Sequence, residues 1–148
     1  MDYQATFAIS AAGMNVERTR YEIAAVNLAN ASTVSGSAKT GFQPRRLIAI
    51  AQAAGASSMS GETFLNLVQQ GLSAPSYQIE TTGAAPRRAH DSAHPLADAK
   101  GDVYYPGVDT ATETMTMLTA VRSYEANVAA LNTARTLALR ALDIGGSS

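Results

Sequence analysis

From Asp2 to Asn30 apolar residues recur at helical steps of three and four, and they do so twice over. Phe7, Ala11, Met14, Tyr21, Ala25 and Leu28 form one stripe, interrupted by Arg18. Ala5, Ile9, Ala12, Val16, Ile23 and Val26 form another. The stripes are offset by two residues, about 200° around a helix, so they fall on nearly opposite faces. A surface helix of a monomer needs one apolar stripe; two predict a helix packed on both sides, central in a bundle or wedged between subunits. Gly13 lies inside the run at a cost of about 1 kcal/mol relative to alanine, which predicts packing or close approach of another backbone there.

The spacing returns from Thr110 to Ile144, where Met117, Val121, Tyr124, Val128, Leu131, Ala138 and Leu142 step by four and three around one polar slot, Arg135. Pro106-Gly107 breaks the chain beforehand, and Thr110 with Glu113 forms a capping-box pattern. Gly145-Gly146 ends the run. Its 35 residues make a rod near 50 Å long at about 1.5 Å per residue, too long for the core of a small compact domain.

Between the helices the periodicity dissolves. Leu47–Ala51, Ser76–Glu80 and Val103-Tyr104-Tyr105 are short β-permissive runs, and Phe64–Val68 fits a strand or a helical turn. Ala53–Gly61 and Thr81–Ser92 read as mobile loops. The expected fold is therefore mainly α: long terminal helices forming an antiparallel coiled-coil-like pair, with a small β-containing, loop-rich middle. The expected organisation is residues 1–36 as N-terminal helix and turn, 37–108 as middle segment and 109–148 as C-terminal helix.

Composition sharpens this. Of 148 residues 29 are alanine and only 6% are aromatic, so bulky apolar volume is scarce and isolated helices are weakly held. A formal net charge of −1 gives no footprint for nucleic acid or an anionic membrane. The absence of cysteine excludes disulfides, zinc–thiolate sites and thiol nucleophiles. Met1-Asp2-Tyr3-Gln4 lacks the basic start and apolar block of a cleaved secretory signal, and no run approaches the roughly 20 apolar residues that span a bilayer. The expectation is a chain that stays in the cytosol or leaves without a cleaved signal, with no direct membrane insertion.

Candidate chemistry is thin. His90, Asp91, His94, Asp98 and Asp102 are a conceivable ligand set, but the His spacing converges only on a helix and Pro95 biases His94 away from helical angles. The plainer reading is a solvated loop leading into a turn at Asp98-Ala99-Lys100-Gly101. No phosphate loop or nucleophile elbow occurs, and Arg45-Arg46 and Arg87-Arg88 are isolated pairs. No metal, cofactor or enzymatic activity is expected. Asn27 and Asn30, three apart at the first helix's end, read differently. Asn30 suits a helix stop, whereas the amide of Asn27, one turn earlier, can donate and accept and so fix the stagger of adjacent helices.

Asn27-Leu28-Ala29-Asn30 with Thr33, Gly36 and Phe42 resembles the N-terminal signature of the flagellar rod, hook and hook–filament junction family. Tyr124, Ala126, Asn127, Leu131 and Asn132 are similar to that family's C-terminal helix. Pro95, Ala97, Asp98, Gly101, Val103, Pro106, Val108 and Asp109 resemble the segment preceding that helix in its proximal rod members. The resemblance implies a structural subunit of the proximal rod that polymerises through its terminal helices and transmits torque. It also implies uncleaved export through the flagellar type III apparatus into the periplasmic rod. Partners would be copies of itself, other proximal rod subunits, the adaptor at the rod base and distal rod subunits. A cytosolic helical adaptor or export chaperone is the alternative. The residues expected at subunit interfaces are Phe7, Ile9, Met14, Val16, Tyr21, Ile23, Asn27, Leu28, Asn30, Met117, Val121, Tyr124, Asn127, Val128, Leu131, Asn132 and Leu142, with the turn after Asn30 reaching toward the next subunit.

Overall fold

The computed structural model of the chain describes residues 3–50 and 76–146. A long helix α1 (Tyr3–Asn30) is followed by strands β1 (Arg45–Ile50), β2 (Ser76–Thr81), β3 (Arg87–His90) and β4 (Asp102–Tyr105), and by a longer helix α2 (Thr110–Gly146). β1 pairs with β2, and β3 with β4, as separate two-stranded sheets. Phe64–Val68 and Ala53–Gly61 lie outside the described residues. Thr81–Ser92, expected as loop, contains β3: Arg87, Arg88, Ala89 and His90 pair antiparallel with Tyr105, Tyr104, Val103 and Asp102. The pairing overrides a weak local strand preference, because Val103 is fully buried and its strand must be covered.

By contact the chain divides into two units: Met1–Arg18 with Ala49–Gln78 and Ala120–Ser148, and Thr19–Ile48 with Ile79–Thr119. In the first, Gly13 of α1 meets Asn127 of α2. In the second, Asn27 reaches Glu113, while Arg20 shares a groove with Thr112, Met115, Thr116 and Thr119.

What these helices bury is not what the stripes foretell. Every seventh residue of α2 from Glu113, namely Ala120, Asn127 and Ala134, is buried or half-buried, whereas Val121 and Leu142 are exposed and Arg135 lies outside. The deepest positions, Ala120 and Ala134, thus stand one residue before Val121 and Arg135, while Met117, Val128, Leu131 and Ala138 of the expected stripe are half-buried beside them. On α1 the buried positions are Ser10, Val16, Ala24 and Asn27, with half-buried Gly13; Val16 belongs to the second expected stripe and the other four to neither. Small residues and amides hold the helices, because they let the backbones approach, and the bulky residues are left half-buried or open. Among the described residues the buried apolar set is only Val16, Ala24, Val103, Ala120 and Ala134.

α2 begins differently from its sequence pattern. Asp109, not Thr110, caps it: its carboxylate accepts the Ala111 N–H at 3.0 Å and the Thr112 hydroxyl at 2.7 Å. Glu113 is thereby free to face α1. Further on, the hydroxyls of Thr114, Thr116, Thr119, Thr133 and Thr136 each donate to the carbonyl four residues earlier, so they need no partner outside the helix.

Candidate assembly interface

The two asparagines at the end of α1 divide their tasks. Asn30 closes the helix: its Nδ2 donates to the Val26 carbonyl at 2.8 Å, and its Oδ1 accepts from the Thr33 hydroxyl at 3.3 Å. Asn27 is fully buried. Its Nδ2 donates to the Arg45 carbonyl at 2.7 Å and to Glu113 Oε1 at 2.9 Å, and its Oδ1 accepts the Arg45 N–H at 3.0 Å. One amide thus joins α1, the start of β1 and α2. The contact is between helices, as its position predicts, but between helices of the same chain. Burial pushes the Glu113 carboxyl above its usual range, and the Asn27 bond opposes that shift.

The turn after Asn30 is anchored on its own chain at Ser35. Ser35 N–H donates to the Tyr104 carbonyl and Tyr104 N–H to the Ser35 carbonyl, both at 2.9 Å, so Ser35 extends the free edge of β4. A side chain at Gly36 would stand 2.9 Å from the Leu96 carbonyl oxygen, which leaves room only for glycine. Ser35 and Tyr104 carried no obvious signal, because their contact is made by backbone.

The loop carrying the candidate metal ligands is held by its own carboxylates. Asp98 Oδ1 accepts the N–H of Lys100 at 2.8 Å and of Asp102 at 3.0 Å, and Oδ2 accepts the Tyr104 hydroxyl at 3.2 Å. The Asp102 N–H bond is the main reason Asp98 lies below the usual carboxylate range, and the same carboxylate raises Tyr104. Gly101, at φ 77°, makes the turn expected at Asp98–Gly101 possible. His90 Nδ1 and Arg88 Nη1 approach the carboxylate of Asp102 at 3.1 and 3.3 Å. His94 Nδ1 accepts the Leu96 N–H. The set is therefore pulled apart into hairpin contacts, and among the described residues no group of three or more His, Cys, Asp or Glu could hold a metal ion.

The remaining expected interface residues distribute as follows. Tyr21, Val121, Tyr124, Asn132 and Leu142 are exposed; Phe7, Ile9, Met14, Ile23, Leu28, Met117, Asn127, Val128 and Leu131 are half-buried; Val16 is buried. Met115, Leu118, Leu137 and Leu139 join the exposed apolar surface, each at least half open. Their bulk was visible in the sequence, but they lie off the chosen stripe. No described helix is long and apolar enough to cross a membrane.

Terminal helices held by small residues and amides, with large apolar side chains turned out, describe a subunit built to be covered by neighbours. Residues 99–144, which hold β4 and nearly all of α2, match the family described as flagellar basal body rod FlgEFG protein C-terminal. The chain is 30% identical over 139 residues to the flagellar basal-body rod protein FlgC of Escherichia coli O6:H1, covering 94% of this chain and 95% of that one. It is also 30% identical to FlgC of Bacillus subtilis over 148 residues, 93% and 94% of the two chains, and 31% identical to that of Aquifex aeolicus over 132 residues, 89% of each. The chain belongs to the FlgC family of flagellar basal-body rod proteins.

Proposed function

We propose that this chain is a structural subunit of the flagellar basal-body rod, in its proximal part, and that it assembles through the outward apolar surfaces of α1 and α2. The observation carrying this reading is the inversion along α2: Ala120, Asn127 and Ala134 face inward while Val121, Tyr124, Leu137, Leu139 and Leu142 lie open. Exposed patches of such size call for a partner surface. A patch on one subunit that fits a different patch on the next propagates as a helical array rather than closing as a dimer. Copies of the chain, other proximal rod subunits, the rod-base adaptor and the distal rod are the proposed partners. Stiffness comes from many packed contacts in parallel, with no chemical step. The proposal includes uncleaved passage through the type III export apparatus and residence in the periplasmic rod, a reading that family membership supports. The interface set proposed is the stripe and signature residues named above, with Asn27 acting indirectly by holding the helices that present them.

The test is to express the chain in a flagellated bacterium lacking its own FlgC. Restored swimming and recovery of the chain in purified basal bodies are expected. A chain that remains in the cytosol bound to one export client would instead identify the adaptor alternative and overturn the rod reading.

A further inference from the structure

The contact at Gly13 does something that neither helix propensity nor the apolar pattern explains. A Cβ built on Gly13 would stand 3.0 Å from Asn127 Oδ1, 3.1 Å from Nδ2 and 3.2 Å from Cγ, so the whole amide of Asn127 lies over the bare backbone. That amide is not free to swing away at no cost, because its Nδ2 donates to the Ser123 carbonyl at 3.0 Å. Buried Ser10 and Val16 flank Gly13 at three residues on either side, and buried Ala120 and Ala134 flank Asn127 at seven on either side, so the contact sits at the middle of the small-residue seam. We infer that Gly13 and Asn127 are a size-matched pair that sets how α1 seats on α2, and that through this seating they determine which outward faces meet neighbouring subunits. Gly13 is a positioning residue in this role, acting through the helix it admits. The inference rests on the rod reading above.

Two physical effects pull a Gly13→Ala variant in opposite directions, which makes the inference testable. Alanine is the better helix former, so if only local helix stability mattered the variant would assemble as well as its parent or better. If size matters, the added methyl pushes the Asn127 amide back by a few tenths of an ångström, against the bond that holds it to Ser123, and strains the seating of α1 on α2. Replacing Asn127 by serine shortens the opposing side chain and makes room for the methyl.

The experiment compares the parent chain, Gly13→Ala, Asn127→Ser and the double variant in a host lacking its own FlgC. It measures export to the culture medium in a hook-deficient background and incorporation into purified basal bodies. Gly13→Ala is expected to be exported at the parental level but incorporated several-fold less. Asn127→Ser alone opens a gap over Gly13 and should also lose incorporation, whereas the double variant, in which the methyl fills that gap, should exceed both single variants. Parental incorporation of Gly13→Ala, or a double variant no better than Gly13→Ala, overturns the inference. A double variant no better than Asn127→Ser overturns it too, because loss of the amide and not the fit of sizes would then be what counts. Failure of the parent chain itself to enter basal bodies refutes the rod reading, and is distinguishable from all of these.

Discussion

Asn27 is the residue on which the second unit turns, because one side chain satisfies groups on three elements at once. Asn27→Ala leaves the Arg45 N–H and carbonyl and the Glu113 carboxylate without their partner, and unmade bonds at a buried site cost about 1–3 kcal/mol per group. The expected result is a loss of about 3 kcal/mol in denaturant unfolding of the chain, a large fraction of a small protein's stability. Under the proposed export route, secretion should persist while incorporation into the rod fails. Glu113 carries a pH signature of opposite sign to that of ordinary capping carboxylates. Its folded value is raised above the usual 4.5, so its contribution to stability is complete below that value and declines as pH rises through the folded one. Glu113→Gln keeps an acceptor for Asn27 and removes the charge; stability at neutral pH should equal or exceed the parent's, and its decline from acid to neutral pH should flatten. Asp98 and Asp109 are lowered below 3.8 and act the other way, losing stability only as pH falls further, so the two windows separate in a pH titration of thermal unfolding.

At the scale of the element, the helices, the strand runs at Ser76 and Val103 and the turn at Asp98–Gly101 were legible from period and punctuation. The strand β3 was not, because Arg87-Arg88 carries no strand preference of its own and pairs only since β4 requires cover. The true cap of α2 was also hidden: Asp109 and Thr110 are both good capping residues, and Glu113, which completes a capping box with Thr110 in sequence, is turned toward Asn27 instead. Asp109→Ala should fray the first turn of α2, visible as faster amide exchange at Ala111, Thr112 and Glu113 with the remainder of the helix unchanged. On α2 the bulk that the stripe follows divides: Met117, Val128 and Leu131 are half-buried, while Val121, Tyr124 and Leu142 are open. This gives the outward face a sharp test. Val121→Asp combined with Tyr124→Asp alters exposed positions, so the fold should change by no more than about 0.5 kcal/mol per site, yet rod incorporation and swimming should be lost. Motility unaffected by both substitutions would remove this face from the interface.

For the whole molecule, five buried apolar residues among those described, three of them alanines, must hold helices of 28 and 37 residues. Burial that small does not offset the ordering entropy of two long helices. Circular dichroism of the dilute chain should therefore report well below the helix those lengths would give, rising only on assembly; full helicity with strong protease resistance in the monomer would contradict this. The one-residue offset of Ala120 and Ala134 from Val121 and Arg135 has a further consequence. At 3.6 residues per turn, one residue is about 100° of rotation. Deleting Thr119 would therefore bring Val121 and Val128 to the places of Ala120 and Asn127, and Arg135 to that of Ala134. The third substitution would drive a guanidinium into the seam, where an unpaired charge is not tolerated. Arg135 thus guards the phase of α2: it forbids the rotation by which the chain could hide its own large residues, and so keeps a lone subunit incomplete until others surround it.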